Sequence, residues 1–149
     1  MAIARGAGTE IIRTTHMRVV DSTVSKLIIG VQHHIYTVLS VVVYADALGT
    51  AGNWIRMFLT GYDSNTGTTA RPIYIFKSDM QVDKTFVWND KFSFNGFEPT
   101  DFAGPMDGTA KQDAIADQGS GVAQILKVNA ENSSDRFDIT CTYIDQNNA

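Results

Sequence analysis

Three histidines are the side chains of this sequence best suited to bind a metal ion or to move a proton near neutral pH. They are His16, His33 and His34. Adjacent residues of a β-strand point to opposite faces, so His33 and His34 cannot easily chelate one ion. No cysteine or carboxylate spacing around them makes a metal site. We therefore expect ordinary hydrogen-bonded histidines and no metal, with a pH-responsive pair at an interface as the alternative.

The residue types needed for nucleophilic or acid–base catalysis are present, but their spacing does not assemble a site. The serines lie in predicted turns or strands, without a Gly-x-Ser-x-Gly elbow. The acidic residues are scattered through turns, and nothing in their spacing indicates a cleft with paired carboxylates. Residues 63–67 are similar to the start of a calcium-binding loop but lack the acidic residue that ends one. We expect no enzyme and no cofactor.

Four aromatic residues on predicted strands could form a platform that binds sugars: Trp54, Tyr62, Tyr74 and Trp88. On strands, such residues more often lie in the core or at a subunit interface. A carbohydrate-binding module for host attachment therefore stands as an alternative function.

Cys141 is the single cysteine, so it cannot form a disulfide within the chain. With a period of two, it shares one face of a predicted strand with Phe137, Ile139 and Tyr143. We expect a small core residue and not a reactive thiol.

The composition is that of one globular domain. The chain has 149 residues, of which 44% are hydrophobic and 19% charged. Its net charge is −4 and the sequence contains no run of Lys and Arg, so nucleic acid and anionic membranes are not expected partners. No apolar run is long enough to span a bilayer, and the first residues lack the apolar core of a secretory signal. We expect a protein that is made in a cytoplasm and either stays there or leaves by a route that needs no Sec signal, such as the release of assembled particles by cell lysis.

The fold class is predicted from a regular alternation of two kinds of segment. Short runs rich in aromatic and β-branched residues are separated by breaks rich in Gly, Asn, Asp and Thr, and no long stretch has helical periodicity. This pattern predicts an all-β antiparallel sandwich, either jelly-roll-like or immunoglobulin-like. The predicted strands are residues 23–29, 35–45, 54–62, 72–77, 85–94, 122–128 and 136–144.

Several finer expectations follow from the same pattern. Residues 31–45 are largely apolar on both faces, which indicates a central strand whose outer face is covered by a loop, an arm or another subunit. Asn89 and Asp90 predict a bend within residues 85–94. Residues 122–128 and 136–144 are expected to form a hairpin.

The predicted domain organisation has four parts. Residues 1–22 are expected to form an extended N-terminal arm, and residues 23–146 the sandwich. Residues 95–121 are expected to be one long insertion loop with a helical turn or two at 109–117, because a loop of this length usually has a function or a partner. Residues 147–149 are a polar tail.

The order of these segments resembles a set of small virion proteins from tailed bacteriophages. The pieces that carry the resemblance are residues 35–44, 73–77, 84–94, 125–128 and 137–145. Within them are Val82-Asp-Lys-Thr-Phe-Val87, a Leu126-Lys-Val128 strand, and the ending Ile139-Thr-Cys-Thr-Tyr-Ile-Asp145. The resemblance covers residues 31–146. The chain departs from the family pattern at residues 95–121 and in its N-terminal extension.

What the resemblance implies is a β-sandwich without catalysis that is present in many symmetric copies of one virion. The expected role is capsid decoration or cement, with a head–tail neck or tail adaptor as the alternative. The implied partners are the major capsid protein, or other virion proteins, and the chain itself as a homotrimer. We expect contacts through apolar residues of the arm and the long loop, each of which has packing on its own domain as the alternative: Ile11, Ile12, Met17, Val19, Val20, Phe97, Phe102, Pro105 and Met106.

Overall fold

A computed structural model describes residues 8–63, 68–99, 107–117 and 121–148. Eleven strands and one helix lie in these ranges. They are β1 (Thr9–Val20), β2 (Ser25–Ile29), β3 (His34–Ala47), β4 (Trp54–Asp63), β5 (Thr68–Asp79), β6 (Thr85–Trp88), β7 (Phe92–Asn95), β8 (Phe97–Pro99), α1 (Thr109–Asp117), β9 (Gly121–Ala123), β10 (Ile125–Ala130) and β11 (Arg136–Asn147).

The strands form two main sheets and one small one, and every pairing between them is antiparallel. Sheet A has the order β1-β11-β3-β6, and β7 pairs with β3 on the same side as β6. Sheet B has the order β2-β10-β4-β5. Sheet C is the pair β8-β9. The prediction of an all-β antiparallel sandwich is confirmed.

The strand order selects the jelly roll from the two sandwich types that the sequence left open. The strands β6 and β7 continue one another along the same edge of β3, so the two main sheets contain eight strand positions. The first of these pairs with the eighth, the second with the seventh, the third with the sixth and the fourth with the fifth. This wrapping places four strands in each sheet, as in a jelly roll, whereas an immunoglobulin domain divides its strands differently.

The core lies between sheets A and B and follows the period of two in each strand. Strand β11 alternates buried and half-buried residues along its length, and β3 does the same on either side of a bulge. The largest fully buried side chains include Phe137 and Ile139 from sheet A, and Ile55, Met57 and Leu126 from sheet B. Asn89 and Asp90 lie in the break between β6 and β7, where the sequence predicts a bend.

The N-terminal region is a strand of sheet A where the sequence predicts an arm. Residues 9–20 pair with β11 from Thr9 opposite Asn147 to Val20 opposite Phe137, so this segment is part of the sandwich. The predicted polar tail also begins inside β11, which ends at Asn147. The amide of Asn148 then donates to the carbonyl of His33 at 2.8 Å. Seven of the twelve residues of β1 are Thr, Ile or Val, and β-branched residues favour strands.

The predicted insertion loop contains secondary structure of its own. Strand β8, near the start of this region, pairs with β9 near the end of it, and α1 covers residues 109–117 as expected. Gly30 and Gly96 join this region to the sandwich, since each has a backbone carbonyl where a Cβ atom would lie. Their amides bond to the carbonyls of Gln124 and His34 at 2.8 and 2.7 Å. Close backbone crossings of this kind need glycine.

The predicted hairpin of the last two strands is wrong. Strand β10 pairs with β2 and β4 in sheet B, whereas β11 pairs with β1 and β3 in sheet A. The chain therefore crosses between the sheets at residues 131–135. The cause is Asp135, whose buried carboxylate accepts bonds from Gly49 N, Asn53 Nδ2 and Asn132 N, each at 2.9 Å. These bonds tie the crossing to the connection between β3 and β4.

Replacing Asp135 by Ala should lower the free energy of unfolding by about 3 kcal/mol, because three donors lose a charged acceptor in a buried place. Urea denaturation of the two proteins measures this. Asp90→Ala, at an exposed acid in the break between β6 and β7, is the control and should change the stability by less than about 0.5 kcal/mol. Equal stabilities of the two variants would contradict the assignment.

Cys141 lies at the centre of β11 and is fully buried, as the sequence predicts. Its neighbours on the inner face, Phe137, Ile139 and Tyr143, are buried as well. Burial raises the pKa of the Cys141 thiol to about 12, because the thiolate would lose its hydration. The thiol is therefore a core group in the native state.

Because the pKa of Cys141 is higher in the folded than in the unfolded protein, its contribution to stability is complete below about pH 9 and is lost as the pH rises toward 12. Relative to Cys141→Ala, the wild-type protein should therefore lose about 1 kcal/mol more stability between pH 8 and pH 10. Urea titrations of both proteins at the two pH values test this. Parallel pH profiles would show that the thiol is not shielded.

Candidate functional site

The outer face of sheet A is a continuous surface of uncharged, mostly β-branched side chains. The strand registers place these residues in three rows that cross β1, β11 and β3, and the two outer rows continue onto the β6–β7 edge. We call this set the neutral face. The rows are Ile12, Ile144, Thr37 and Ser93; Thr14, Thr142 and Ser40; and His16, Thr140, Val42 and Val87.

The neutral face contains no Asp, Glu, Lys or Arg, although the chain has a net charge of −4. Charged residues such as Glu10 and Asp138 lie in the rows beyond it, and Asp90 and Lys91 lie at its margin, in the break between β6 and β7. Its hydroxyl groups bond across strands: Thr37 Oγ1 is 2.8 Å from Ser93 Oγ, and His16 Nδ1 is 2.9 Å from Thr140 Oγ1. Covering such a surface with another protein costs little desolvation free energy, because it has no charge and some of its polar groups already have hydrogen-bond partners.

Apolar side chains on the neutral face are exposed. Ile12 is 69% exposed, and Val42 and Val87, which lie directly opposite each other on β3 and β6, are 37% and 52% exposed. The centres of protein interfaces are depleted of charge and rich in apolar contacts. The outer face of β3 is thus the second apolar face that the sequence predicts to need a cover.

Strand β1 adds a hydrogen-bonding edge to this surface. It is 12 residues long and pairs with β11 on one side. Within the described ranges, no strand pairs with its other side. An edge of this length is a template for an additional strand from a partner.

The predicted contact residues do not form one patch. Ile11 and Ile12 point to opposite faces of β1, and only Ile12 belongs to the neutral face. Met17 packs against the core, which was the alternative for this residue. Phe97 is half-buried in β8 opposite Ala123.

The remaining predicted contacts cannot be placed by their side chains. Val19 and Val20 belong to β1, but their side chains are outside the described part of the structure. Phe102, Pro105 and Met106 lie outside the described residues. Val42 and Val87 were missed, although the two apolar faces of residues 31–45 contain the signal for Val42.

The histidines are hydrogen-bonded, as the sequence predicts. His34 Nδ1 is 2.6 Å from Asp145 Oδ1, and Arg13 Nε is 3.2 Å from the other oxygen of this buried carboxylate. His33 lies in the turn before β3 with a φ of 63°, so strand alternation does not apply to it. An Asp–His pair supplies two of the three members of a catalytic triad, but no Ser, Thr or Cys side chain in the described ranges bonds to His34. The cluster instead joins β1 and β3 to β11.

Among the residues that the structure describes, no group of three or more His, Cys, Asp or Glu side chains could hold a metal ion. The predicted aromatic platform is not one surface. Trp54 and Tyr74 flank Arg56 on the outer face of sheet B, whereas Trp88 points inward and stacks on Phe76 at 5.8 Å. The side chain of Tyr62 lies outside the described part of the structure. No helix in the described part of the chain is both long and apolar enough to cross a membrane.

Comparison with known proteins leaves the family open. No protein-family model matches the sequence, and no curated protein matches it. A solved structure from a study entitled "Bacillus endospore appendages form a novel family of disulfide-linked pili" is similar with a TM-score of 0.44 and 10% identity. That alignment covers 100% of this chain and 97% of the other. A likeness at this level does not establish a shared family or function.

Asp145→Asn should lower the free energy of unfolding by about 2 kcal/mol, since a buried carboxylate with two charge-assisted bonds becomes an amide. Asp138→Asn is the matched control, because Asp138 lies on the same strand and faces outward. Thermal and urea unfolding measure both. A variant as stable as the wild-type protein would show that Asp145 does not hold β1 and β3 to β11.

Proposed function

We propose that this chain is a non-enzymatic structural protein of a phage virion that decorates or cements the capsid through protein–protein contacts. The observation that carries the proposal is the neutral face, an exposed and uncharged sheet surface beside an unpaired edge strand. The jelly roll is a support by analogy only, since it occurs in viral capsid domains but also in lectins and cupins. That the partner belongs to a virion is inferred from the resemblance of the sequence to small virion proteins.

The size of the neutral face favours a part that acts in many copies. Neighbouring strands lie about 4.8 Å apart and alternate residues about 6.8 Å apart, so the face covers roughly 400 Å². A stable interface buries about 800 Å² on each partner. One neutral face therefore forms a weak contact by itself. A homotrimer that presents three such faces to a symmetric shell gains from multivalency what the single contact lacks.

The edge of β1 strengthens the same contact. Backbone groups of an edge strand can pair with an extended segment of a partner and give affinity without a special side-chain sequence. Ile12, Thr14 and His16 lie on the neutral face and on this edge strand, so a partner strand added to β1 would extend the surface. Adding that strand increases the buried area toward the range of stable interfaces.

The proposal is tested by placing one charge on the neutral face. In Val87→Lys an ammonium replaces an exposed apolar group opposite Val42, and burial of an unpaired charge is unfavourable. We expect binding to purified particles of the encoding phage to weaken at least tenfold, with unchanged circular dichroism and thermal stability. A particle pull-down with quantified binding measures this.

Val82→Lys is the matched control, because Val82 is 45% exposed in the turn before β6 and outside the neutral face. It should bind like the wild-type protein. Mass spectrometry with copy counting on the same particles separates the roles: hundreds of copies support a capsid protein, and about six or twelve support a neck or tail adaptor. Wild-type binding by Val87→Lys, or absence of the chain from the particles, would contradict the proposal.

A further inference from the structure

The outer face of sheet B has the opposite character to the neutral face. Four strands bring together cations that are far apart in the sequence: Lys26 from β2, Lys127 from β10, Arg56 from β4 and Lys77 from β5. We call this set the basic face. The sequence contains no run of basic residues, so the face exists only through the pairing of the strands.

The registers place like charges directly opposite each other. Lys127 is the cross-strand partner of Lys26, and Lys77 is the cross-strand partner of Arg56. Two opposed cations destabilise a sheet unless something neutralises them. A sequence that keeps two such pairs on one face breaks a local rule of sheet design, and such violations concentrate at functional sites.

No carboxylate neutralises these cations within the described residues. The ion pairs there join Arg13 to Asp145, Lys111 to Asp107 and Arg136 to Asp46, and none includes a residue of the basic face. Asp79 lies at the margin of the face, opposite Trp54. Without these four positive charges, the net charge of −4 becomes −8 for the rest of the chain. Eight of the twelve Lys and Arg residues lie outside this face, so its positive character comes from the local pairing of four cations.

Aromatic rings fix the positions of two of the cations. The guanidinium carbon of Arg56 lies 4.8 Å from the ring centroid of Trp54, 5.5 Å from that of Phe58 and 5.3 Å from that of Tyr74. Its Nε also donates to Asn129 Oδ1 at 2.8 Å. Lys77 Nζ lies 4.9 Å from the Trp54 centroid. These contacts hold the cations in place before a ligand binds, which reduces the entropy lost on binding.

From this arrangement we propose that the basic face binds an acidic polysaccharide, that is, a linear sugar polymer bearing carboxylate or sulfate groups. The cations lie on adjacent strands about 4.8 Å apart and span about 14 Å. A polymer that crosses the strands meets one cation on each of them. Charge-assisted bonds from Arg and Lys are the contacts that fixed anionic groups require.

The same geometry disfavours two other anionic partners. Single-stranded nucleic acid needs a series of free ring faces on which successive bases stack. Arg56 and Lys77 lie against the ring of Trp54. Phe58 is buried, which leaves Tyr74 as a single exposed ring among the aromatic residues described on this face. Lysine is depleted at protein–protein interfaces, and three of the four cations on this face are lysines, which disfavours a folded acidic protein. The proposal is independent of the capsid role, because it concerns the opposite sheet.

Binding of the full chain to defined polymers tests the proposal. In isothermal titration at 50 mM salt, we expect heparin and polygalacturonate to bind and neutral dextran not to bind. Raising the salt concentration should weaken binding, since the contacts are ionic. The double variant Lys77→Gln/Lys127→Gln should weaken binding at least tenfold. Lys77 is exposed and Lys127 half-buried on the outer face, so the fold is expected to remain, and thermal unfolding checks this.

The matched control is Lys84→Gln/Lys91→Gln, which removes the same charge at exposed lysines flanking β6 in sheet A. It should change the affinity less than twofold. If the double variant of the basic face is unstable, the single variant Lys77→Gln replaces it in the test. Its affinity for the acidic polysaccharides should be at least threefold lower than that of Lys84→Gln.

Four results would overturn the assignment. They are no binding of either acidic polysaccharide, equal losses in the control and the basic-face variants, tighter binding of polyglutamate, and tighter binding of an oligothymidylate. The first two would show that the face is no site, and the last two would assign it to an acidic protein or to nucleic acid. None of these results would bear on the particle-binding test of the neutral face.

Discussion

The alternation of side chains along β3 and β11 is the constraint from which the rest of the structure follows. These two strands form the centre of sheet A, and their inner residues, such as Val41, Val43 and Ile139, are fully buried against sheet B. A period of two then fixes what the outer face can be. Because the alternate residues in the middle of the two strands are Thr, Ser, Val and Ile, closing the core also creates an uncharged outer surface there. One pattern of alternation therefore produces both the core and the candidate interface.

The local pattern of the sequence was sufficient for most strands of the two main sheets and for the buried face of β11. Phe137, Ile139, Cys141 and Tyr143 were predicted to share a face, and all four are buried. The helix at residues 109–117 and the bend near Asn89 were also predicted. These features depend on neighbours within a few residues, where periodicity and turn chemistry are informative.

Pairing between distant strands could not be predicted in the same way. Residues 131–135 have the composition of a hairpin loop, but Asp135 bonds to Gly49 and Asn53 and takes the chain across to the other sheet. The first strand was predicted as an arm because its partner, β11, is more than a hundred residues away. The basic face could not be predicted for the same reason, since Arg56 and Lys127 share one surface only because β4 pairs with β10.

We propose a different role for each of the two outer faces. Sheet A offers a neutral surface with Val42 and Val87 exposed, and sheet B offers fixed cations around Arg56. A cryo-electron microscopy reconstruction of a phage particle that contains this chain tests the proposed virion role. We expect the jelly roll to sit with the neutral face and β1 against a neighbouring virion protein. A reconstruction in which the outer face of sheet A points entirely to solvent would contradict it.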